Sequence, residues 1–136
     1  ANALAPARVH ALVARAGWRE RRGDAAAAAT AYGQAFELAQ AFATPLILRD
    51  AAIPYARYLL SHGDPDAARR TASVLAPHVE HDFASALMLA RVAARAGDRA
   101  LARTCFARAR SLAGERWSPA LAAEAAAADA IAPGPA

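Results

Sequence analysis

Few residues of this 136-residue chain are arranged to do covalent or metal chemistry. The densest group of metal-capable side chains is His78-Val79-Glu80-His81. Two histidines three apart on a helix face one another and could hold zinc. Pro77 stands directly before them, however, so the segment reads as an inter-helix turn, with no third ligand in register. His10 and His62 stand alone, at helix positions expected to be exposed. Cys105 is the one cysteine, which excludes an intramolecular disulfide; beside Phe106 on an apolar helix face it reads as a buried, inert thiol. Ser61, Ser73, Ser85, Ser111 and Ser118 have no base in sequence context. There is no nucleophile elbow, phosphate-cradling glycine loop or His-Glu-x-x-His. The chain is therefore not expected to be an enzyme, and no catalytic, cofactor-binding or metal-ligating residue is assigned.

What remains is the chemistry of arginine. All sixteen basic residues are Arg, set among twelve acidic ones for a net charge of +4. This interspersion reads as a mixed-charge, solvated helical surface rather than a nucleic-acid-binding one. Within it, Arg57 and Arg91 are 91 − 57 = 34 residues apart, and Arg95 lies one helical turn beyond Arg91 on the same face. A guanidinium fork binds a carboxylate through two parallel hydrogen bonds.

The elements that must position these residues are marked by three Gly-Asp steps: Gly23-Asp24, Gly63-Asp64 and Gly97-Asp98. Glycine is favoured just past a helix end, and aspartate caps the next helix. Each step therefore reads as helix, tight turn, helix, and Pro65 fits the first helical position after Asp64. The steps are 97 − 63 = 34 and 63 − 23 = 40 residues apart, a repeat spacing. Seven residues before each Gly stand Ala16, Ala56 and Ala90; five after stand Ala28, Ala68 and Ala102. Small residues at fixed positions let paired helices approach closely. Nine after each Gly stand Tyr32, Ala72 and Phe106, and twelve after stand Ala35, Leu75 and Ala109.

Seven helices follow. They span about Ala7–Arg22, Asp24–Phe42, Pro45–His62, Asp64–Ala76, a fifth starting near Asp82, Asp98–Ala113 and Pro119–Ile131. Thr44-Pro45 and Ser118-Pro119 read as a cap followed by the first helical position. Pro54 is expected to kink or loosen the third helix, and Pro77 to end the fourth. Residues 1–6 and 132–136 read as linkers. Alanine makes up 45 of the 136 residues, which favours helix throughout and small buried contacts. The alanine and arginine bias suggests a GC-rich bacterial genome. No run is long and uncharged enough to span a bilayer, so no membrane insertion is expected. The chain lacks an initiator Met and a signal-peptide pattern, and reads as a piece of a larger protein. The compartment is not fixed; cytoplasm is favoured over periplasm.

The Gly-Asp turns, the small positions and the Tyr32 and Phe106 aromatics together resemble the tetratricopeptide repeat family, over roughly residues 9–113. The resemblance implies an all-α fold: a right-handed α-solenoid of three helix-turn-helix repeats, at about 9–43, 45–78 and 82–114, plus a C-terminal capping helix at about 118–131, in one domain over 1–136. It departs four residues before each Gly, where Arg19, Leu59 and Ala93 replace the usual aromatic. In that family the first helix of each hairpin lines a concave groove. The matching groove positions here carry Gly17, Arg57 and Arg91, then Arg21, Ser61 and Arg95. A further row holds His10, Asp50 and Ala84, and another holds Val13, Ile53 and Leu87. The resemblance thus implies a basic stripe beside an apolar one, with Arg21, Asp50, Ile53, Arg57, Leu87, Arg91 and Arg95 as partner-binding residues. The expected role is non-catalytic protein–protein interaction with an acidic or C-terminal peptide, within a larger bacterial regulatory or signalling protein. The bland alternative has these arginines paired with Asp50, Asp82 or Glu80. A second functional alternative is homodimerisation through an uncovered apolar face on the first helix.

Overall fold

The same backbone event occurs three times along the chain. In the computed structural model, which describes residues 4–42 and 44–131, Gly23, Gly63 and Gly97 all adopt φ between 79° and 81°. This left-handed geometry is open to glycine without a Cβ clash. In each case the following aspartate donates its amide back to the helix just ended: Asp24 to Arg19, Asp64 to Leu59 and Asp98 to Ala93. Each aspartate side chain then accepts an amide of the next helix, from Ala27, Ala67 and Leu101, all at 3.1 Å. One residue pair thus closes one helix and opens another.

Seven α-helices result among the described residues, with no strand: α1 (Ala5–Arg21), α2 (Ala25–Phe42), α3 (Pro45–Ser61), α4 (Pro65–Ala72), α5 (Phe83–Arg95), α6 (Arg99–Ala113) and α7 (Pro119–Asp129). The closest packing is between α1 and α2, α3 and α4, and α5 and α6; α3 also packs on α1, α2 and α5, and α7 packs on α6. Ala16, Ala56, Ala90, Ala28, Ala68 and Ala102, the small positions flanking the glycines, are all fully buried. Buried side chains gather in three groups that share Val13, Phe36 and Leu59 along their margins. Ala90→Leu is therefore expected to overpack, destabilising the protein by about 1–3 kcal/mol. A thermal melt of that variant coinciding with the parent would show that position 90 has room.

Several local expectations need correction. Helix α1 begins at Ala5, two residues early, because Pro6 suits a first turn whose amides have no partners anyway. Thr44 is extended, but its side chain makes no capping bond, whereas Ser118 accepts the Leu121 amide at 3.1 Å. Pro54 lies inside α3, as the sequence placed it. It forfeits one backbone bond, while the helix continues on both sides under contacts from α1, α2, α4 and α5. The fourth helix is shorter than expected: α4 ends at Ala72 and the chain tightens into a 3-10 segment over Ser73–His78. Pro77 would clash with the Ser73 carbonyl in a continuous α-helix, and the tighter coil relieves that. Of the two segments read as linkers, residues 1–3 and 132–136 lie outside the described residues, and Ala5 and Pro6 belong to α1.

Candidate functional site

The arginines singled out by spacing do not form one undivided stripe. Arg91 and Arg95, on α5, share a cleft of about 450 Å³ with Leu60 of α3, Phe106 of α6, and Glu124 and Ala128 of α7; Ile131 also lines it. Its lining is mostly apolar, with Arg91, Arg95 and Glu124 as the charged members. Arg91 is held there by a two-point ion pair. Its Nε donates to Glu124 Oε2 at 2.6 Å and its Nη2 to Oε1 at 3.0 Å. Arg95 is exposed and makes no ion pair or side-chain hydrogen bond among the described residues.

Arg57 belongs to a different cluster. Its Nη2 donates to Glu20 Oε1 at 3.1 Å and to the Tyr32 hydroxyl at 3.0 Å, and that hydroxyl donates to Glu20 Oε1 at 2.9 Å. Beneath lie stacked aromatics. Tyr32 is 6.0 Å from Tyr55 and 5.1 Å from Tyr58, whose other side carries His62 at 4.0 Å. The Tyr58 hydroxyl donates to the Ala25 carbonyl at 2.8 Å, tying α3 to the start of α2. Gly17, the position equivalent to Arg57 and Arg91, leaves space that a Cβ would enter: the Arg21 guanidinium would be 3.4 Å away and the Tyr32 hydroxyl 3.9 Å. Arg21 folds back over it.

Asp50 accepts from His10 of α1 at 3.1 Å and from Arg49 at 3.1 Å. Arg49 reaches on to Asp82 at 3.2 Å, and Asp82 caps α5 by accepting the Ser85 amide at 2.9 Å and hydroxyl at 2.6 Å. One polar chain thus crosses α1, α3 and α5. Ile53 and Leu87 are half-buried against the core and do not line the cleft. The groove residues are therefore divided between the Arg57 cluster, the Asp50 chain and the Arg91–Arg95 cleft.

The internal partners differ from those the sequence suggested. Asp50 and Asp82 are taken by Arg49 and His10, and Glu80 accepts from Arg108 at 2.6 Å. Arg57 and Arg91 turn instead to Glu20 and Glu124, 37 and 33 residues away, close to the spacings between the Gly-Asp steps. Glu124 was missed, although it is the one charged residue in the alanine run from Pro119 to Ala128. Such a lone carboxylate, a repeat length from an arginine, was the available signal. Leu60 and Ile131 carried no comparable mark.

The electrostatics follow from these contacts. The Arg57 hydrogen bonds hold the Glu20 carboxyl below its ordinary value of 4.5, against burial and with help from Tyr32. Burial raises the Tyr32 hydroxyl, reinforced by the Glu20 carboxylate it donates to. Burial pushes Asp82 up, but the Ser85 bonds and Arg49 more than offset it, for a net lowering. Burial raises the Cys105 thiol, keeping it neutral and weakly nucleophilic. Because the Glu20 carboxyl is lower folded than unfolded, its stabilisation is present above the unfolded value and lost as pH falls through the folded one. Melts from neutral pH to below 4.5 should therefore fall more steeply for the wild type than for Glu20→Gln. Superimposable profiles would sink this assignment.

Among the described residues, no group of three His, Cys, Asp or Glu could hold a metal ion, and no helix is long and apolar enough to cross a membrane. Compared with known proteins, the chain matches no family model and no curated protein significantly.

Proposed function

We propose that the chain is a non-catalytic protein–protein interaction module: a right-handed solenoid of three tetratricopeptide-like hairpins capped by α7, which takes an acidic or C-terminal peptide in its concave groove. Three identical turns and fully buried alanines at matching positions support the repeat reading. The observation that carries the binding reading is the cleft itself. It joins an apolar lining of Leu60, Phe106 and Ile131 to two guanidinium groups, and Arg95 has no internal partner among the described residues. An apolar side chain could meet that lining while a carboxylate met Arg95. Arg57, in the cluster beside it, would contribute field rather than contact. The module would act within a larger bacterial regulatory or signalling protein.

Self-association finds less support. Val9 is buried and Leu12 and Val13 are half-buried against α2 and its neighbours, leaving Trp18 as the exposed large apolar side chain within α1. A light-scattering mass at twice the chain's 14.1 kDa would revive it.

The test is fluorescence anisotropy with a labelled, glutamate-rich peptide ending in a free C-terminal leucine. Binding should weaken as salt rises. Arg95→Glu should reduce affinity by about 1 kcal/mol, since Arg95 is exposed and screened. Affinity indifferent to both would refute the cleft as the site.

A further inference from the structure

Nine arginines make no ion pair among the described residues, and three of them, Arg8, Arg15 and Arg22, stand with Arg19 along one outward side of α1 and its C-cap. Arg8, Arg15, Arg19 and Arg22 stand at i, i+7, i+11 and i+14, and all four are exposed. At about 100° per residue they fall within roughly one-sixth of the helix circumference, along about 21 Å of its length. The buried stripe with Val9 and Ala16 lies about a quarter turn away. Arg49, Arg57, Arg91, Arg103 and Arg108 all meet carboxylates within 3.2 Å. On this face the sole ion pair among the described residues is Arg19 with Asp24, at a loose 3.9 Å. Trp18 lies within the arginine row, 45% exposed, with the Arg19 and Arg22 guanidinium groups 5.2 and 4.8 Å from its ring centroid.

We propose that this face docks an acidic amphipathic helix of a partner protein. Charge complementarity is the first argument: three arginines without an internal carboxylate favour a partner that supplies one at each. Spacing is the second. Arginines three, four and seven apart match a helix with carboxylates at the same intervals, turn for turn. Trp18 is the third. An exposed tryptophan in a charged surface is a typical energetic anchor, and the guanidinium groups lying over its ring are held there in advance of binding. The same contacts occupy the indole, which leaves it poorly placed to stack on a nucleic-acid base and favours the acidic helix over a single strand. Beside the arginine row, exposed Ala11 allows the partner's backbone to come close. The proposal is independent of the Arg91–Arg95 cleft.

The experiment uses a labelled, alanine-based helical peptide carrying glutamates at three- and four-residue intervals, and the same peptide with glutamines. The glutamate peptide should bind, and the glutamine peptide should not. Arg15→Gln/Arg22→Gln and Arg8→Gln/Arg15→Gln should each weaken binding on the order of tenfold. Circular dichroism should match the wild type, since these side chains are exposed. Arg69→Gln/Arg70→Gln, which removes the same charge from an exposed site on α4, should leave binding unchanged, which separates this face from a general charge effect. A change in tryptophan emission on binding should disappear in Trp18→Phe. Equal binding of the two peptides, indifference to both double variants, or no binding at all would overturn the proposal. So would tighter binding of single-stranded oligothymidylate than of the glutamate peptide, which would make the face a nucleic-acid surface instead.

Discussion

Phe106→Ala is expected to destabilise the protein by about 3–5 kcal/mol, the range for removing a buried phenylalanine ring. Phe106 is 4% exposed on α6 and contributes both to the cleft beside Arg91 and to the crevice between α6 and α7. Ala90, Ala102 and Ala109 in the same cluster cannot fill the vacated volume, whereas Leu60, Trp117 and Ile131 can partly do so, which places the loss in the middle of that range. Denaturant titration should show a lower midpoint with an unchanged slope. Leu101→Ala, at a 38% exposed position on the same helix, provides the contrast and should be mild. Equal midpoints for the two variants would mean that Phe106 does not hold the core.

Arg91→Glu is expected to weaken binding of the glutamate-rich C-terminal peptide by about 1–2 kcal/mol, less than a buried pair would give because its side chain is 38% exposed. The variant also sets two carboxylates against each other across α5 and α7, so a control must separate the two causes. Glu124→Gln retains Arg91 and removes its internal carboxylate, and should tighten binding because the peptide no longer has to displace it. If Glu124→Gln weakens binding as much as Arg91→Glu does, the loss comes from displacing α7. An Arg91→Glu variant that binds as the parent does removes Arg91 from the site.

The turns were legible in the sequence because their causes are local. A glycine with φ near 80° and an aspartate cap act within a few residues, so Gly23-Asp24, Gly63-Asp64 and Gly97-Asp98 declared themselves without tertiary information. The burial of Ala56 and Ala90 was legible for a related reason: recurrence at a fixed distance from the turn. Pro54 stands inside α3 as read, its local cost carried by packing on either side. The arginine partners misled. Which carboxylate Arg57 finds depends on whether Asp50 is already engaged by His10 and Arg49, and that competition is settled only when α1, α3 and α5 come together. Arg91 could have been matched to Glu124 from the repeat length alone, yet a single glutamate among alanines resembles an ordinary solubilising residue.

The way α7 is attached has a consequence for how the molecule comes apart. Its one buried residue is Ala128, while its carboxylates at Glu124 and Asp129 reach Arg91, Arg99 and Arg103. Little dehydration holds it, and much of its adhesion is ionic and near the surface. Denaturant and heat act mainly through dehydrated area, which resides in α1 to α6; electrolyte acts mainly on pairs of this kind. The last helix is therefore expected to respond to electrolyte more than the remainder does. Concentrated salt would release the former while the latter stays folded, opening one wall of the cleft without melting the scaffold behind it.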